Sequence, residues 1–187
     1  MIVLTSMDDY SGQPSVVALG MFDGVHIGHQ RLIRTAVRIA RARCAQCVVC
    51  TFDRHPLCVI APEKAPVPVL SLRENLQKME QLGANYALVQ AFNAEFAALE
   101  PEAFVRQIVS KLNVRAIVVG ENYTFGRKGM GNAQLIRALA GTFDYEPVIV
   151  PPVMDGDRMA SSTYIRELRE RGEWAHVQKL LAISEEA

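Results

Sequence analysis

Five short apolar runs recur along the chain, at Val16–Gly20, Gln46–Phe52, Tyr86–Ala91, Ala116–Gly120 and Pro147–Val150. The intervals between most of them carry helical periodicity. Leu32, Ile33, Ala36, Val37, Ile39 and Ala40 mark one helix face, and Leu72–Leu82, Pro101–Leu112 and Gln134–Ala140 behave alike. Near-continuous apolar strands alternating with helices require a sheet buried on both sides. The expected fold is therefore α/β, a doubly wound parallel sheet. A chain of 187 residues, half of them apolar, buries a core of this kind as one domain, so residues 1–187 are expected to form a single domain. Three prolines make Ala61–Val69 an extended loop rather than a linker.

Composition narrows the partners. Twenty basic residues balance twenty acidic ones, which is not the footprint of a protein that binds nucleic acid through its phosphates. No run has the length of a membrane span, and Met1–Gly12 is too acidic and too weakly apolar for a signal peptide, so the chain reads as cytoplasmic with no membrane partner. Its oligomeric state is not legible. Cys44, Cys47 and Cys50 are spaced like metal or cluster ligands. Cys47–Phe52 reads as a buried strand, however, in which residues three apart face opposite ways, and small apolar filler is the expected role. No protein-held metal is expected.

In an open parallel sheet, ligands bind beyond the carboxyl ends of the strands, so the loops that follow the apolar runs carry the information. The first, GMFDGVHIGH, places three glycines and two histidines within ten residues. Gly20 and Gly24 permit a tight turn with the backbone close to a ligand. Gly28 removes a side chain from a helix start whose free N–H groups and positive dipole end suit a phosphate. The loop is neither a Walker-A nor a dinucleotide fingerprint. Its side-chain donors are His26 and His29, three apart and so on one face of the first helical turn, where imidazole N–H groups can follow charge developing at phosphorus. Asp23 fits either a cap on this turn or a place in the site.

The last loop contains Ser161, Ser162 and Thr163 before a helix expected near Tyr164. One hydroxyl suffices for an N-cap. Three, together with Arg158 and Arg166, suit a triphosphate. In ENYTFGRKGMG, Asn122 lies just past a buried strand beside the flat rings of Tyr123 and Phe125. In TFDRHP, Phe52, His55 and Pro56 occupy the same edge of the sheet. No covalent nucleophile is paired with a base, which leaves positioning and charge stabilisation to carry a phosphoryl or nucleotidyl transfer, with Mg2+ travelling on the nucleotide.

Together GMFDGVHIGH, TFDRHP, AFNAEFAALEPEAFV, VVGENYTFGRKGMG and SSTYIREL resemble, in order, the adenylyltransferase module of the bacterial bifunctional riboflavin kinase/FAD synthetase family, within the nucleotidyltransferase superfamily. The resemblance implies a Rossmann-like nucleotidyltransferase fold and the reaction of ATP with FMN to give FAD and pyrophosphate. It assigns His26 and His29 to catalysis. Gly20, Phe22, Asp23, Gly24, Gly28, Gly120, Asn122, Arg158, Ser161, Ser162, Thr163 and Arg166 fall to the nucleotide. Phe52, His55, Pro56, Asn122, Tyr123 and Phe125 fall to the flavin. The family's kinase module finds no room after Leu181, so no riboflavin kinase domain is expected. Leu57–Ile60 (LCVI) stands where the family usually has an aromatic residue, which leaves Phe52 or Tyr123 to offer a ring. Transfer to another phosphorylated small molecule, or a non-catalytic flavin or nucleotide binder, are the alternative readings.

Overall fold

A computed structural model describes residues 1–183. In chain order its elements are β1 (Ile2–Leu4), β2 (Ser15–Leu19), α1 (Ile27–Ala42), β3 (Gln46–Phe52), α2 (Leu57–Ile60), α3 (Leu72–Gln81), β4 (Tyr86–Gln90), α4 (Ala94–Ala97) and α5 (Pro101–Leu112). They continue with β5 (Val114–Gly120), β6 (Thr124–Phe125), β7 (Gly131–Asn132), α6 (Ala133–Phe143), β8 (Glu146–Val150), β9 (Met154–Asp155), β10 (Arg158–Met159), α7 (Ser162–Glu170) and α8 (Trp174–Leu181). Six strands form one parallel sheet in the order β1-β4-β3-β2-β5-β8.

All five expected strands lie in this sheet, and alternation along them divides the core. Val17, Leu19, Val48, Cys50, Ile117 and Val119 face the layer that holds Phe104, Ile108 and Ile136, from α5 and α6. Val16, Ala18, Cys47, Val49, Ala116 and Val118 face Leu32, Ile33, Ala36 and Met79, from α1 and α3. Cys47 and Cys50 thus lie in opposite layers, both buried and free, and burial pushes the Cys47 thiol up to about 12. Each fully buried aliphatic such as Ile33 or Ile108 contributes about 1.5–3 kcal/mol.

Three features lie beyond the sequence reading. The sheet has a sixth strand, β1, only three residues long at one edge, with Ile2 and Val3 exposed. At the other edge β8 accommodates Pro147, a residue that central strands exclude. The last helical pair, α7 and α8, closes a small separate core around Ile165, Leu168, Val177 and Leu180. In the proline segment, Pro62–Lys64 forms one 3-10 turn and the rest is extended loop. Chain order reverses about β2, which connects through α1 to β3 on one side while β5 flanks it on the other. A crevice opens at such a point, and the loops after β2 and β5 form its walls.

Candidate active site

The loop from Gly20 to His26 is bent by backbone conformations that L-residues rarely adopt. Phe22 (φ 50°), Gly24 (φ 90°) and Val25 (φ 41°) are all left-handed. For a β-branched residue such as Val25 this costs of order 1–3 kcal/mol, which surrounding contacts must offset. Those contacts are present. The Gly24 N–H donates to Asn75 Oδ1 at 2.9 Å, and Gln30 Nε2 donates to the Val25 carbonyl at 3.0 Å. Phe22 is fully buried and lies edge-on to His29 at 5.2 Å. A Cβ at Gly20 would stand 3.0 Å from the Phe22 ring. The Phe22 side chain, which the resemblance assigns to the nucleotide, is closed off from the surface. Its ring sits in the core and braces the loop.

Asp23 is likewise not a cap on its own turn. Its Oδ1 accepts from the Val69 N–H at 2.8 Å and the Leu70 N–H at 3.3 Å, and its Oδ2 accepts from Arg166 at 2.5 Å. Ser162 Oγ donates to the Asp23 carbonyl at 2.8 Å. One buried residue thus joins the glycine loop, the proline segment and α7. Arg166 also donates to the Val67 carbonyl at 2.7 Å, so its guanidinium is engaged within the chain rather than free. Helix α7 begins at Ser162, two residues before the expected start, because Ser161 is the N-cap and accepts from the Tyr164 N–H at 3.1 Å. Thr163 is exposed on the first turn. Arg158 pairs with Glu167 at 2.6 Å and lies 4.5 Å above the Tyr164 ring.

His26 and His29 come together as expected. His26 sits at the N-cap of α1 without a side-chain capping bond, and the two rings stack with centroids 3.8 Å apart. Burial lowers the His26 pKa to about 4. Burial, and then the neighbouring His26, hold His29 well below the ordinary histidine range. The pair is neutral, each ring carrying one N–H, and in both Nδ1 is buried with no hydrogen-bond partner. A Cβ at Gly28 would stand 3.2 Å from the His26 ring and 3.5 Å from the Ala160 carbonyl. The glycine makes room for the stack as well as for a ligand.

Two cavities flank Tyr123. One, of about 210 Å³, is lined by His26, Gly28, His29, Gly120, Asn122 and Met159 among others. The Asn122 amide lies 3.3 Å from Met159 Sδ. The other, of about 180 Å³, is walled by Phe52, Phe92, Phe96, Phe104 and Phe125, with Pro56 and Ile60 at its side. These rings meet edge to face, Phe52–Phe92 at 5.1 Å, Phe52–Phe96 at 5.6 Å and Phe92–Phe96 at 5.7 Å. Tyr123 stacks on Phe125 at 5.5 Å and contributes to both cavities.

His55 is absent from the aromatic wall. It lines a smaller recess that it shares with Asp23, Asp53, Arg54 and the prolines Pro66 and Pro68. Its Nδ1 accepts from the Leu57 N–H at 3.2 Å, and burial, with Arg166 nearby, lowers its pKa. The sequence reading missed Phe92, Phe96 and Phe104 as site residues. Their spacing within AFNAEFAALEPEAFV is the signal that was available.

A model of the FAD synthetase family matches residues 9–164. The chain belongs to that family. Among the curated relatives of this FAD synthetase-family chain, the bifunctional riboflavin kinase/FMN adenylyltransferase of Bacillus subtilis is 36% identical over 162 residues, 85% of this chain and 50% of that one. The protein of the same name from Listeria monocytogenes is also 36% identical, over 93% of this chain and 55% of its own length. The chain spans about half the length of these two relatives. A crystal structure of a macrolide-efflux protein from Streptococcus pneumoniae is 33% identical and superposes with a TM-score of 0.86, over 96% of this chain and 59% of that one. Among the described residues of this FAD synthetase-family domain no helix is long and apolar enough to cross a membrane, and no group of three or more His, Cys, Asp or Glu side chains converges as metal ligands.

Proposed function

We propose that residues 1–187 form one nucleotidyltransferase domain that transfers AMP from ATP to FMN, giving FAD and pyrophosphate. The observation that carries this reading is the pairing of two unlike cavities at one switch point. One lies under a neutral histidine pair and a glycine-opened helix start, and the other is walled by five phenylalanines. Membership of the FAD synthetase family and the names of the relatives support it.

In this reading the nucleotide takes the cavity above α1. Its phosphates meet the helix N-terminus, the backbone at Gly20 and Gly28, and the Ser161 and Thr163 hydroxyls at the start of α7. The flat isoalloxazine packs among Phe52, Phe92, Phe96 and Phe125, while Tyr123 and Asn122 stand between the two substrates. An oxygen of the FMN phosphate attacks the α-phosphorus of ATP, the bond from that phosphorus to the α–β bridging oxygen breaks, and pyrophosphate departs with the electron pair. The N–H groups that His26 and His29 present to this cavity strengthen their bonds to the oxygens on which charge accumulates. The only buried carboxylate of the described loop, Asp23, is committed to Arg166 and two backbone amides, which fits a metal that arrives on the substrate. Mg2+ carried on the triphosphate would neutralise part of its charge. The reading sets the reaction in the cytoplasm.

The decisive experiment is to incubate the purified chain with FMN, ATP and Mg2+ and to separate flavins by chromatography. FAD is the expected product. Pyrophosphate release with another phosphorylated acceptor, but not with FMN, would overturn the acceptor assignment.

A further inference from the structure

Helix α8 lies beyond the stretch matched by the family model, which ends at Tyr164, and none of its residues figures in the reaction described above. It nevertheless holds one wall of the nucleotide cavity. That wall is the end of the β9–β10 hairpin. Met154–Asp155 pairs with Arg158–Met159 through a turn at Gly156 (φ 61°), and the Ala160 N–H closes on the Val153 carbonyl at 2.9 Å. Val153, Met159 and Ala160 then line the cavity opposite His26 and His29.

Two antiparallel residue pairs form too short a ribbon to hold a position unaided. The attachment runs through Asp155. Its Oδ2 lies 2.5 Å from His176 Nε2 and 3.3 Å from the Tyr164 hydroxyl, and Lys179 Nζ approaches Oδ1 at 3.9 Å. The other nitrogen of His176 faces Glu173 at 3.7 Å, and its ring stands edge-on to Tyr164 at 5.9 Å. A carboxylate with this many donors, its side chain only 13% exposed, has one preferred place. Hydrophobic contact supports the same docking, since Ala160 packs in the small core with Val177 and Leu180.

We infer that His176 is a positioning residue for the nucleotide: acting through Asp155, it holds the β9–β10 hairpin as the wall of the cavity that faces His26 and His29. It touches neither substrate. The inference rests on the assignment of that cavity to ATP, and a direct measurement of ATP affinity separates the two, because affinity does not depend on which acceptor the enzyme uses.

The test is calorimetric titration of ATP into the full chain, combined with steady-state kinetics. His176→Ala should weaken ATP binding about tenfold, the size of effect expected for a residue acting through one intermediate contact. The KM for FMN should stay within about twofold, and kcat at saturating ATP should fall by less than the affinity does. His176→Gln keeps an N–H donor for Asp155 and should recover most of the loss. Asp155→Asn should weaken ATP binding alone, and adding His176→Ala to it should cost little more. Should His176→Ala not fold, the Gln and Asn variants carry the same comparison. ATP affinity within twofold of wild type in folded His176→Ala or Asp155→Asn overturns the inference. So does an equal loss in ATP affinity, FMN KM and kcat, which is the signature of general damage. A wild-type chain that binds ATP but forms no FAD overturns the acceptor assignment instead.

Discussion

His26 and His29 show how one local pattern serves two ends. Their spacing stacks the rings and their burial keeps them neutral, so in the proposed reaction they serve as paired N–H donors rather than as cations. Loss of one preorganised donor costs about 2.7–4 kcal/mol at the transition state. His26→Ala and His29→Ala should each lower kcat about a hundredfold to a thousandfold, with a smaller change in ATP affinity, as measured by FAD formation and calorimetry. Gly28→Val should damage both quantities, because its Cβ crowds the His26 ring at 3.2 Å as well as obstructing the helix start. The same neutrality has a pH signature. Unfolded histidine titrates near pH 6.5, whereas folded His26 titrates near about 4. Between these values the unfolded chain binds more protons, so stability is full above pH ~6.5 and declines as pH falls through that window. The contribution from His26 reaches up to about 1.4 kcal/mol per pH unit and ends below pH ~4. Urea unfolding at several pH values should give a shallower slope for His26→Gln than for wild type. An unchanged slope would refute the buried neutral state.

At the scale of elements, the site depends on a tie between segments distant in sequence. Asp23 and Arg166 are 143 residues apart in the chain, and their ion pair connects the glycine loop to α7 while Val67 and Val69 bring in the proline segment. Side-chain exposures of 7% and 19% make it a largely buried pair, and removal of one partner leaves the other uncompensated, at a cost of about 3–5 kcal/mol. Asp23→Ala and Arg166→Met should each lower Tm, and the double variant should lose much less than the sum of the two. Additive losses in thermal scans would mean that the pair is not coupled. From sequence, Asp23 reads as either a local turn cap or a residue of the site, and Arg166 as a phosphate ligand. Neither reading could foresee the other residue, because helical and turn rules extend only a few residues and this contact forms through the packing of α7 against the proline segment and the start of α1.

For the whole molecule, placement of the loops at one edge follows from parallel topology, but the identity of the aromatic cavity does not. Phe52 ends β3, Phe92 and Phe96 follow β4, and Phe125 follows β5, and only the sheet order brings these three strand ends together. Phe96 is only partly buried and fills the cavity wall more than the core. Phe96→Ala should raise the KM for FMN several-fold, in keeping with about 0.5–1.5 kcal/mol for an aromatic contact, and leave ATP affinity unchanged. Titrations of both ligands would check this.

The parallel layout, the two-layer core and the histidine pair are legible in the sequence, because alternation along a strand, helical spacing and glycine at a helix start are short-range constraints that a chain carries in its own order. Other features depend on where distant segments meet. Phe22 is a core brace, Arg166 is paired with a carboxylate, His55 stands outside the aromatic wall, and the short β1 and the closing helix α8 complete the fold. Burial and partnership are properties of the packed molecule. The residue that buries a ring or neutralises a charge can lie anywhere along the chain, and no local pattern names it.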